Sequence, residues 1–286
     1  MSDAKEGRKN ISKTVALIAI CAALYAVASA ATSPIPTPWG VGHFRPGVIV
    51  PALFALISTP FVAGTGAAIG TFMASFVLAT FGPSNPVLSL MSGVPGNFIG
   101  FYLLSWLLSK GRTWRSFVTS SVIALFVGNF IAATGVAAYH SFVVPKWAAW
   151  TLTEKSLTIF GLTLFWMVTM IPFVIALVPP LYRGIAPILS ERFAMGVRPE
   201  VFGNDRPRDL LYTSVMIFLL FMAIYVGVVM TPFGDAIFSK AVIGPEYIFW
   251  VKNLFVIAGG TVLAFGLTAS FFMSKKMSPE SIGRKV

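Results

Sequence analysis

The sequence predicts an all-α fold, a polytopic membrane helix bundle, and three observations predict it. Of 286 residues, 56% are hydrophobic and 11% are charged, against about 25% charged in an ordinary soluble domain. The mean hydropathy is +0.82. The apolar residues run in continuous stretches close to the roughly 20 residues that a spanning helix needs, and they do not alternate with period two as barrel strands do.

Eight stretches qualify, at about 14–32, 46–59, 62–81, 88–109, 116–139, 156–182, 209–231 and 250–273. The first is read as a span and not a cleaved leader, because its apolar run is long and more spans follow. It carries Ala19 and Ala23 as AxxxA, with Ala22, Ala26 and Ala30 continuing a small-residue stripe. The second is short and bounded by Pro46 and Pro60, so it is expected to tilt or to cross only part of the bilayer. The third has Gly66 and Gly70 as GxxxG with Ala74 one turn on, the fourth has Gly96 and Gly100, and the fifth has Gly128 and Ala132. Small residues at four-residue spacing share one helix face and let a second backbone come close.

Charge sets the expected orientation. Sixteen of the 21 Lys and Arg residues fall on one side: Lys5, Arg8, Lys9, Lys13, Lys110, Arg112, Arg115, Arg183, Arg192, Arg198, Arg206, Arg208, Lys275, Lys276, Arg284 and Lys285. The other side receives Arg45, Lys146, Lys155, Lys240 and Lys252. The positive-inside rule then places both termini in the cytoplasm, in a plasma-membrane protein with an even number of spans. Topology accounts for the net charge of +11, so a nucleic-acid partner is not called for.

Several functions lack their equipment. No Asp, Glu, Lys or Arg falls well inside a span, which removes the usual carrier group of a proton-coupled machine. There is no GxxxxGK[ST] loop and no HExxH motif. The single cysteine, Cys21, allows neither an intrachain disulfide nor a cysteine metal cluster. Ser92 and His140 are the only residues that resemble a protease pair, and neither has a setting that calls for one. No catalytic residue, metal or cofactor is expected.

What remains polar is informative. The four letters GNFI occur at 96–99 and again at 128–131, each inside a span. By the orientation above, Asn97 and Asn129 both lie in the outer half of the membrane. An amide there must be paired or must face a cavity. The two can bond each other or a neighbouring backbone, or they can meet a ligand entering from outside. The outer connections bring Trp39, His43 and Arg45 among Pro34, Pro36, Pro38 and Pro46. They also bring Asn85, and further on His140, Lys146, Trp147 and Trp150. Interfacial tryptophans commonly anchor a belt, yet aromatic platforms with a few polar groups also suit a small organic solute.

Taken in order over about 1–190, these features resemble the substrate-binding S component of energy-coupling factor (ECF) transporters. The features are "ALIAICAALYAVASA" in span one, the short second span leading into "PFVAGTGAAIGTF", then "FGPSNP", "GVPGNFIGFYLLSWLL" and "MIPFVIALVPPLYRG". The resemblance implies a six-helix bundle that captures a vitamin or related micronutrient from outside. It also implies docking through span one onto a transmembrane coupling (T) subunit, with two cytoplasmic ABC ATPases driving release. Carried onto this chain, Ala19, Ala23 and Ala26 become docking residues. Asn97 and Asn129 become pocket candidates, and Trp39, His43, Arg45, Asn85 and Trp147 become outer-loop candidates.

The domain plan that follows is an S-component-like membrane domain over 1–190, a basic cytoplasmic connection over 191–208, and a two-helix hairpin with a basic tail over 209–286. The hairpin departs from the family pattern. If it covered span one it would obstruct docking. The alternative reading is an autonomous secondary transporter or channel for a small solute, with sodium coupling through carbonyls and hydroxyls.

Overall fold

A computed structural model describes residues 2–33, 35–80, 85–111, 113–185 and 207–276. Most of the expected basic connection (191–208) and tail, with Pro34, Arg112 and most of FGPSNP, lies outside the described residues. The helices are α1 (Ser2–Thr32), α2 (Ile49–Ile57, entered through a 3₁₀ turn at Pro46–Val48), α3 (Pro60–Leu78), α4 (Pro86–Met91), α5 (Gly93–Lys110), α6 (Trp114–Val143), α7 (Pro145–Ala148), α8 (Leu152–Ile185), α9 (Pro207–Ile224), α10 (Pro232–Phe238) and α11 (Pro245–Lys276). Among the described residues, seven helical stretches are long and apolar enough to cross a membrane, and Pro46–Ile57 is a shorter apolar one. The chain is a multi-pass membrane protein built as a helix bundle.

The helix starts follow from local chemistry. Proline stands at the first position of α3, α4, α7, α9, α10 and α11, where its missing N–H costs nothing and its fixed φ suits a helix. Asn85 caps α4 by accepting from the Leu88 N–H at 2.7 Å, and Thr113 caps α6 by accepting from Ser116 at 3.2 Å. The expected fourth span breaks at Ser92, whose φ of −125° and ψ of −76° separate α4 from α5. Two short helices, α7 and α10, lie in connections between the expected spans.

The short second span is the centre of the bundle. Pro51, Ala52, Phe54, Ala55, Leu56 and Ile57 are all buried, and α2 touches α1, α3, α5 and α8. At its end the Ser58 carbonyl accepts from Ser105 Oγ at 3.3 Å, one turn from the end of α5. Around this core the small residues close the helix contacts. A Cβ on Gly66 would stand 2.7 Å from the Cys21 side chain, and one on Gly70 would stand 2.8 Å from the Ala22 carbonyl. Both glycines therefore seat α3 on α1.

The end of the bundle that carries 35–45, 79–80, 85, 144–151 and 230–244 is called the outer end here, following the charge bias. The additional hairpin of α9 and α11 packs along itself and against α8 and α6. At the other end Arg115 meets Asp209 at 2.9 Å. The main contacts of α1 run to α3, α2 and the 3₁₀ turn, so the hairpin does not occupy the face of span one. Ala19 and Ala23 stay exposed beside Val15, Ile20, Leu24 and Val27, while Ala22 is 2% exposed against α3. Ala26 is half-buried.

Candidate functional site

Connection one is a compact hairpin. The Phe44 N–H donates to the Ile35 carbonyl at 2.8 Å and the Thr37 N–H to the Gly42 carbonyl at 3.1 Å. Gly40 (φ 70°) and Gly42 (φ 78°) occupy the left-handed region that a side chain resists. Gly42 has a second reason to be bare, since a Cβ there would sit 2.7 Å from the Trp166 ring. The hairpin is held on both sides. The Trp166 indole N–H donates to the His43 carbonyl at 3.1 Å. From the C-terminal hairpin, the Val242 N–H donates to the Pro38 carbonyl at 2.9 Å. Tyr247 Oη donates to the Pro36 carbonyl at 2.5 Å. Trp39 is 2% exposed and stacks on Phe238 with ring centres 5.6 Å apart.

Beneath this hairpin lies a narrow cleft of about 40 Å³. Its wall comes from the outer ends of α1, α3, α4 and α6, from the first residue of α5, and from connection one. Hydroxyls dominate it: Tyr25, Ser29, Ser33, Thr71, Ser75, Ser89 and Ser92, together with His43 and Arg45. The sequence carries a signal for this wall. Ser29 and Ser33, and Thr71 and Ser75, stand four residues apart, and Ser89 and Ser92 stand three apart. The four-residue pairs each share one helix face, and Ser89 and Ser92 meet where α4 gives way to α5.

The electrostatics are one-sided. The Arg45 guanidinium lies 4.8 Å from the centre of the Trp166 ring, a cation–π contact that stabilises a charge without neutralising it. Burial lowers the affinity of Arg45 for its proton, but a guanidinium starts so high that it stays charged. His43 is pushed below the ordinary imidazole range, first by burial and then by the Arg45 charge, while its contact with the Ser33 backbone opposes the shift. It is therefore neutral at pH 7. A histidine depressed in the folded state contributes stability that is complete above its unfolded pKa, about 6.5. That stability is lost as pH falls from there through the folded value. The melting temperature is expected to drop between pH 7.5 and pH 5, with a smaller drop in His43→Gln. Equal drops in both proteins would remove His43 as the cause.

The other expected site residues are distributed. Asn97 is 8% exposed and donates to Thr71 Oγ1 at 2.6 Å, and its side chain also meets that of Tyr25, so it reaches the cleft through two residues that line it. Asn129 is 5% exposed and donates to Met170 Sδ at 3.4 Å, on the α8 side and outside the lining. The two asparagines do not bond each other. Between them lie Gly96 and Gly128, where a Cβ on Gly96 would come 2.6 Å from the Gly128 carbonyl. The repeated GNFI thus marks a close crossing of α5 and α6, and each asparagine turns to a different third helix.

Asn85 spends its oxygen on the α4 cap and its amide on Tyr139 Oη at 3.1 Å. Trp147 stacks between His140 and Trp150, with ring centres 4.9 and 4.3 Å away. Trp39, Asn85, Asn129 and Trp147 all stand outside the lining of the cleft. Ser92 Oγ donates to the Leu88 carbonyl and His140 Nδ1 meets the Val136 carbonyl, so each is engaged within its own segment. Among the described residues, no group of three or more His, Cys, Asp or Glu side chains is placed to hold a metal.

The family model described as ECF-type riboflavin transporter, S component, matches residues 9–186, well over half of the chain and nearly all of the bundle that forms the cleft. No curated protein and no solved structure matches.

Proposed function

The chain belongs to the ECF-type riboflavin transporter S component family, a family of substrate-binding transporter subunits and not of enzymes, and from that premise we propose that it captures a flavin from outside the cell. The cleft beneath connection one is the proposed binding site, with His43, Arg45 and the surrounding hydroxyls in contact with ligand and Asn97 orienting Thr71. The observation that carries this reading is the coincidence of the family match with a polar cleft at the outer ends of α1, α3, α4 and α6. A planar heterocycle with a hydroxylated chain needs both flat apolar walls and hydrogen-bond partners, and this wall offers Tyr25, Leu78 and Val136 beside its serines.

Both termini are cytoplasmic in this proposal, and the membrane is the plasma membrane. The chain carries no nucleotide loop of its own, so the energy comes from partners: a transmembrane T subunit that receives the exposed α1 face, and two ABC ATPases beneath it. The domain plan is retained, with a membrane domain over 1–190, a connection over 191–208 and the hairpin over 209–286. The proposal further assigns the hairpin the task of holding connection one through Pro36, Pro38 and Trp39. Titrating the purified chain with riboflavin, and following quenching of flavin fluorescence, tests the capture step. Saturable one-to-one binding is expected, and no quenching at micromolar protein would refute a flavin cargo.

A further inference from the structure

Among the described residues, no carboxylate pairs with Arg45. The ion pairs formed by the described residues join Arg115 to Asp209, Lys240 to Glu154 and Lys252 to Asp235, and none reaches the cleft. Among the described residues, no carboxylate lines it. Arg45 faces the Trp166 ring on one side. On another it faces the bare backbone of Gly93, where a Cβ would lie 3.9 Å from its Nη1 atom. Two further polar atoms of the same wall, Ser89 Oγ and His43 Nε2, are buried without a hydrogen-bond partner. The Ser89 residue is 7% exposed. Two buried unpartnered atoms beside a cation without a counter-charge are costly unless something completes them.

Their chemistry states what that something is. A planar guanidinium without a counter-charge is matched by a phosphate or carboxylate, which it can hold through two parallel N–H bonds. Ser89 can donate to the same group. His43, with its ring bonded to the Ser33 backbone, presents Nε2 as an acceptor for a hydroxyl or N–H of the ligand. Resting on the reading of this cleft as the substrate site, we propose that the cargo carries an oxyanionic group which Arg45 receives. The preferred flavin is then a phosphorylated one and not the neutral vitamin.

The test compares riboflavin with riboflavin 5′-phosphate on the purified full chain in a phosphate-free detergent and again in phospholipid nanodiscs. Alongside it, the melting temperature is measured with and without inorganic phosphate. Wild type, Arg45→Gln and Arg45→Lys are used, the last keeping the charge in case the glutamine variant folds poorly. The expected result is at least tenfold tighter binding of the phosphorylated flavin in both media. Arg45→Gln should abolish that preference, whatever it does to riboflavin affinity, and Arg45→Lys should keep part of it. Equal or weaker binding of the phosphorylated form by wild type overturns the inference and leaves flavin capture intact. A preference present in detergent but absent in nanodiscs also overturns it, because a lipid headgroup phosphate then occupies Arg45. If neither flavin binds, flavin capture fails and phosphate alone decides. A rise in melting temperature that requires Arg45 supports an anionic cargo of another kind, and no rise overturns it.

Discussion

Replacing Gly96 with leucine should leave little folded protein, and it is the most damaging single change expected in the membrane core. Its first added carbon would lie 2.6 Å from the Gly128 carbonyl oxygen and 2.8 Å from the Ala132 Cβ. Neither obstacle is the free end of a flexible side chain. Leucine would have to part α5 and α6 along the crossing that also seats Gly100 against Gly128. Overpacking a closed contact costs about 1–3 kcal/mol, and forcing two backbones apart belongs at or above the top of that range. Gly260 is the matched control, with no atom within 4 Å of an added Cβ. Gly260→Leu should therefore melt within about 0.5 kcal/mol of wild type. Thermal unfolding of both variants in one detergent checks the contrast, and equal stability would show that the α5–α6 crossing is not tightly closed.

Leucine at Ala19 or Ala23 should act in the opposite way, sparing the fold and abolishing uptake. Both alanines are exposed and stand on a stripe flanked by Val15, Ile20, Leu24 and Val27. Val27 is 70% exposed, which in a membrane means contact with lipid or with a partner. A close helix–helix contact depends on small residues, so bulk on this stripe should block the T subunit. Flavin affinity should stay within about twofold of wild type, because neither alanine lines the cleft. Uptake in cells that carry the partner subunits should fall at least tenfold. Normal uptake in both variants would remove α1 as the docking face.

The architecture was legible because its determinants are long-range averages. Hydropathy over about 20 residues locates each span, and glycine and alanine spacing locates the contact faces, as Gly66, Gly70, Gly96 and Gly128 show. The shortness of the second span was also legible from Pro46 and Pro60, but its central position was not. A short apolar helix reads the same whether it is enclosed or peripheral. The kink at Ser92 and the helices α7 and α10 depend on local backbone choices that apolar averages do not register.

The site was legible only in part. Arg45 and His43 stand out as charged or titratable residues among prolines, and both line the cleft. Asn97 and Asn129 draw attention because amides are rare in spans, yet their partners, Thr71 and Met170, are fixed by which helices pack together. The serines are common residues individually, and only their repeated placement at the outer ends distinguishes them. Trp39 looks like a platform for ligand, whereas its partner is Phe238 of the C-terminal hairpin, some 200 residues away in the chain.

A single cysteine placed in the cleft tests the central claim most directly. The native thiol at Cys21 is fully buried, so it need not be removed. Leu78, which lines the cleft and is partly exposed, is changed to cysteine and labelled in intact cells with a membrane-impermeant maleimide, with and without saturating flavin. The account predicts labelling from outside that flavin slows at least tenfold. Labelling that requires permeabilised cells, or that proceeds at the same rate with flavin present, would contradict an outward-facing capture site at this position.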